Sequence, residues 1–104
     1  MPDAQGIVIQ NNPTAVTLVF EVDGQQFTLK GQVNPPIQPF SVSTATLQYN
    51  GLDDLTSNQT FRGQIGPQTL NLVFQNGTAV IGQLNPPGVE PASMASGVGI
   101  WEQN

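Results

Sequence analysis

Val16-Thr17-Leu18-Val19-Phe20-Glu21-Val22-Asp23-Gly24-Gln25-Gln26-Phe27-Thr28-Leu29-Lys30-Gly31 reads as a complete β-hairpin. Val16, Leu18, Phe20 and Val22 recur every second residue, with Thr17 and Glu21 between them, which is the period of a half-buried strand. Asp23-Gly24 is a strong two-residue turn signal, because a type I′ turn needs positive φ at both central positions. A turn centred there pairs Phe20 with Phe27, Leu18 with Leu29, and Val16 with Gly31. All the large inward residues then share one face, and a slip of one residue would turn them out to water.

The pieces of this hairpin recur. Leu18-Val19-Phe20 returns as Leu72-Val73-Phe74, and Gly31-Gln32-Val33-Asn34-Pro35-Pro36 returns as Gly82-Gln83-Leu84-Asn85-Pro86-Pro87. A weaker third copy runs from Leu47-Gln48-Tyr49 to Gly63-Gln64-Ile65-Gly66-Pro67. In the last unit a three-residue loop, Gln75-Asn76-Gly77 with Gly77 left-handed, pairs Leu72 with Val80 and Leu70 with Gly82. The same register in the middle unit pairs Leu47 with Phe61 and Ala45 with Gly63, leaving Asn50 to Asn58 as a long tip. That tip should then be replaceable by Asn-Gly without loss of the fold.

Strands at Gly6 to Gln10 and Gly97 to Trp101 bring the number to about eight, with a proline-rich surface connection between Asn85 and Ser96. No window carries the stripe of an amphipathic helix. The expected fold is all-β: an antiparallel small barrel or two-sheet sandwich of about eight strands, built from three related hairpins. Recurring glycines supply the bends that a closed sheet requires. At 104 residues the chain fits one domain, residues 1–104.

Composition excludes several chemistries. The chain has no Cys and no His, so it lacks the ligands of common zinc sites and the usual nucleophile–base pairs. Lys30 and Arg62 are its only cations, against seven acids and a net charge of −5. Two cations cannot build a phosphate-binding surface, so no nucleic-acid partner is expected. No stretch has the length and apolarity of a membrane helix, and the first residues lack the pattern of a secretory signal. Neither membrane insertion nor a cofactor is expected, while compartment and oligomeric state stay open.

Asn50, Leu52, Asp53, Asp54, Leu55 and Asn58 form the candidate partner-binding loop. Its adjacent acids read as a solvated turn ahead of a calcium loop, because Ca²⁺ takes 6–8 oxygen ligands. Leu52 and Leu55 either tuck back or stand out as anchors. Trp101, without a counterpart in the repeat, is the candidate ligand-stacking ring, weighed against core or sheet-end packing, which the apolar body and polar tip of an indole favour. Gln32, Gln64 and Gln83 follow the repeated glycines and would form equivalent amides on a threefold arrangement, or simply outward strand positions.

Phe27 to Tyr49, with its Gly-x-x-Asn-Pro-Pro, resembles small bacterial proteins classed as domains of unknown function. The resemblance implies a bacterial all-β protein and carries over no functional residue. The function expected is a non-enzymatic binding or interaction module meeting a protein or carbohydrate partner through its loops. The alternative is a small-ligand-binding β-barrel.

Overall fold

A computed structural model of the chain describes residues 3–34 and 36–103. The strands are β1 (Asp3–Asn12), β2 (Ala15–Val22), β3 (Gln25–Asn34), β4 (Ser41–Gln48), β5 (Asn58–Ile65), β6 (Thr69–Phe74), β7 (Ala79–Gln83) and β8 (Ser93–Gln103), with one 3₁₀ turn at Leu52–Leu55. Every pairing is antiparallel, and the strands close into a barrel in the order β1-β2-β3-β8-β5-β6-β7-β4. Between barrel and sandwich, closure into a barrel is the outcome.

The two hairpins read from turn chemistry have the expected register. Phe20 lies opposite Phe27, Leu18 opposite Leu29 and Val16 opposite Gly31. Asp23 and Gly24 both have positive φ, 53° and 79°, as a type I′ turn demands. Leu72 pairs with Val80 and Leu70 with Gly82. Gly77 is left-handed at φ 93°, and Thr78 O accepts a hydrogen bond from Phe74 N across the three-residue loop.

The middle unit is different. β4 pairs with β1 and β7, while β5 pairs with β6 and β8. Leu47 therefore lies opposite Ala4 and Val80, and Phe61 opposite Phe74 and Gly97. The expected Leu47–Phe61 and Ala45–Gly63 pairs do not form, because β6 and β7 stand between the two strands. The cyclic order instead divides into β4-β1-β2-β3 and β8-β5-β6-β7, each a Greek key. Advancing every strand number by four maps this order onto itself. The Leu-Val-Phe and Gly-Gln-x-Asn-Pro-Pro copies are the β2/β6 and β3/β7 pairs of that duplication.

Inside, Val8, Leu18, Phe20, Leu29, Leu47, Leu70, Leu72 and Phe74 are fully buried and fill the barrel with side chains. Val89 and Leu84, from the proline-rich connection, close one end; Leu55 and Tyr49 close the other. Every proline among the described residues lies in the connections at the first end. Six of the seven acids cluster toward the second, Glu90 being the exception.

Close strand contact explains Gly63. A Cβ there would run into the backbone O of Asn71, with Leu72 Cα at 2.9 Å. Gly63→Ala is expected to cost about 1–3 kcal/mol, the usual penalty for overfilling a packed site. Gly51→Ala is the control, since a Cβ there meets nothing within 4 Å, and it should stay within about 0.5 kcal/mol. Urea unfolding checks both, and equal stability of the two variants would contradict the close approach.

Candidate functional site

β8 reverses the usual distribution of side chains. Its inward positions are Ala95, Gly97, Gly99 and Trp101; its outward positions are Met94, Ser96, Val98, Ile100 and Glu102. The strand thus keeps glycines inside and presents aliphatics to water: Met94 is 68 % exposed, Val98 46 % and Ile100 51 %. Inward glycines are tolerated because neighbours occupy their space. The Phe61 ring lies over Gly97 and Gly31, and the Leu29 side chain lies over Gly99.

Strand register orders the outer face into rows. Asn34, Ser96, Arg62 and Val73 form one row across β3, β8, β5 and β6. Gln32, Val98 and Thr60 form the next, and Lys30, Ile100 and Asn58 the one after. Val73, on β6, is 48 % exposed. A furrow of about 1000 Å³ crosses the first two rows, between Gln32 and Asn34 on one side and Val73 and Gln75 on the other. It meets a second depression of about 480 Å³ at Arg62 and Val73. A third, of about 610 Å³, adjoins it at Val98 and reaches Lys30, Asn58 and Ile100.

Few of the residues singled out from sequence belong to this face. Asn58 lines it; Asn50, Leu52 and Asp53 are exposed elsewhere, at the acidic end. Leu55 is 2 % exposed and plugs the barrel, so of the two leucines only Leu52 stands out as an anchor. The loop is ordered by its own bonds. Asn50 N donates to Asp54 Oδ2, Thr56 Oγ1 to Asp53 O, and Asn76 Nδ2 to Asp54 O. It is a structured cap and not a free tip. Among the described residues, no group of three His, Cys, Asp or Glu side chains is placed to hold a metal ion.

Trp101 is not a stacking platform. Its side chain is 5 % exposed and packs on Phe74, ring centroids 6.2 Å apart. The other aromatic residues are buried too, from Phe20 to Tyr49 and Phe74. Gln32, Gln64 and Gln83 do point outward, but on β3, β5 and β7 of a duplicated fold, without threefold equivalence.

No protein-family model, curated protein or solved structure matches the chain. No helix among the described residues is long and apolar enough to cross a membrane.

The β8 face was readable in outline. Val98 and Ile100 alternate with Gly97, Gly99 and Trp101, and the large indole fixes which phase is inward.

Proposed function

We propose that the chain is a non-enzymatic interaction module that binds a protein partner on the outer face of β8 and β5. The observation that carries this reading is the outward aliphatic row of Met94, Val98 and Ile100 beside a furrow. Val98 and Ile100 adjoin along the outer side of β8, with Met94 beyond Ser96. Single exposed aliphatics are ordinary on protein surfaces, and it is their grouping beside a furrow, rimmed by polar side chains, that supports an interaction site. Gln32, Asn34, Thr60 and Gln75 supply such a rim.

A closed barrel offers no free strand edge, so recognition rests on side chains rather than added strands. A glycan partner is less favoured, because sugar faces stack on exposed aromatic rings and these rings are buried. The small-ligand barrel is less favoured because leucine, valine and phenylalanine occupy the inward positions.

Titration of the ¹⁵N-labelled chain with isopropanol and phenol, small probes of an apolar hot spot, tests the site. Amide shifts should concentrate at Arg62, Val73 and Ser96 to Ile100. Shifts confined to the barrel interior, or to residues 50–57, would overturn this placement.

A further inference from the structure

The outward side of β8 has a charge and shape pattern that complements itself. Arg62 lies level with Ser96, Val98 and Ile100 follow two and four residues along, and Glu102 ends the row. Read backwards, the order is Glu102, Ile100, Val98, then the Ser96–Arg62 level. Two such rows laid face to face and antiparallel, centred at the level of Gly99, put Ile100 of each over Val98 of the other. Glu102 of each then reaches the Ser96–Arg62 level of the other. Self-complementarity of this kind is the requirement of a twofold interface, in which one patch serves both subunits.

Charge favours the same arrangement. Among the described residues, the one ion pair joins Lys30 Nζ to Glu102 Oε2 at 3.8 Å, with both side chains about half exposed or more. Among the described residues Arg62 therefore has no carboxylate partner, and the acids other than Glu102 lie off this face. A guanidinium beside apolar side chains prefers a carboxylate, which it can bind through two parallel hydrogen bonds. Each copy carries −5, so association must separate the acidic ends. Centred at Gly99, the antiparallel arrangement holds the two Glu102 levels six residues apart along β8, about 20 Å at about 3.3 Å per residue. That exceeds the Debye length, about 8 Å at physiological salt. The smaller outward row on β1, Ile7 and Ile9, lies outside the furrow and its two adjoining depressions.

Resting on the reading of this face as a protein-binding surface, we infer that its occupant is a second copy of the chain. The copies form a twofold dimer through β8, with reciprocal Arg62–Glu102 pairs around a Val98/Ile100 centre. The contact is confined to one curved wall of a barrel 34 Å long and 22 Å wide, so it buries less than the roughly 800 Å² per partner of standard interfaces. A reversible dimer is therefore expected.

Sedimentation equilibrium over a wide concentration range tests this. The unaltered chain should dimerise, and Val98→Thr with Ile100→Thr should abolish dimerisation. Arg62→Glu and Glu102→Arg should each weaken it by about tenfold or more, a loss of about 1.4 kcal/mol. The double variant R62E/E102R should recover most of that loss, because the swapped charges meet again across the twofold axis; the added cation beside Lys30 keeps it short of full recovery. Circular dichroism melts establish that each variant is folded. A dimer indifferent to these charges, or without rescue in the double variant, overturns the arrangement. A chain monomeric at every concentration overturns self-association. Probe binding at Val73 and Ser96 to Ile100 would then still support the face as a site for another protein. Loss of that probe response would sink the face itself.

Discussion

Replacing residues 50–58 by Asn-Gly is expected to leave no folded monomer. Sequence pairing of β4 with β5 makes that deletion harmless, whereas the barrel order makes it prohibitive. From β4 the route to β5 passes β7 and β6, three strand steps away. At about 4.8 Å per step the arc is about 14 Å. A two-residue link reaches at most about 11 Å, three Cα–Cα spacings. The deletion also removes Leu55 from the core and Asp54 O from its bond with Asn76 Nδ2. Emptying a buried leucine site alone costs about 2–5 kcal/mol, a large share of a small domain's stability. Since the link joins two matching Greek keys, any structure that survives should be a swapped dimer, in which each key finds its complement in another chain. Sedimentation with near-ultraviolet circular dichroism decides it. A native-like monomer would mean that the loop spans no such distance.

This difference marks where sequence reading stops. Asp23-Gly24 and Gln75-Asn76-Gly77 encode local geometry, so the pairing of β2 with β3 and of β6 with β7 can be read residue by residue. Leu47-Gln48-Tyr49 and Gly63-Gln64-Ile65 look like a third copy because any inward-facing strand of this barrel draws on the same few residue types. Their partners depend on which faces meet after two crossings of the barrel ends, and nothing local to either strand encodes that. The outer face of β8 and β5 is only partly legible for a related reason. Alternation shows that Val98 and Ile100 share a face, but it does not show that Thr60, Arg62 and Val73 lie beside them. That row exists only because β8 inserts between β3 and β5, far from both in sequence.

Phe61→Ala should be among the most damaging single substitutions, costing about 3–5 kcal/mol as buried phenylalanines commonly do. Phe61 is 3 % exposed, and its ring contacts that of Phe74 at a centroid distance of 5.4 Å. Glycines lie on its other sides. A Cβ at Gly31 would meet Phe61 Cε2 at 3.2 Å and Cζ at 3.3 Å, and one at Gly97 would meet Cζ at 3.0 Å. An aromatic ring laid over strand glycines supplies the packing they lack. Once it is gone, the surroundings have few side-chain atoms with which to collapse into the void. The same geometry predicts coupling. Gly31→Ala alone should be close to neutral or mildly destabilising, because its nearest obstacles belong to the Phe61 ring and to Val16 Cγ2 at 3.5 Å. In the Phe61→Ala background those ring atoms are absent. The added methyl then fills part of the cavity and removes the strand's entropic penalty for glycine, about 0.5–1 kcal/mol. Gly31→Ala should therefore stabilise the Phe61→Ala protein, giving a coupling of about 1 kcal/mol or more in a double-mutant cycle, as expected for touching residues. Additive effects in urea unfolding would mean that the ring does not cover Gly31, and the account of how the β3–β8–β5 wall is filled would have to be replaced.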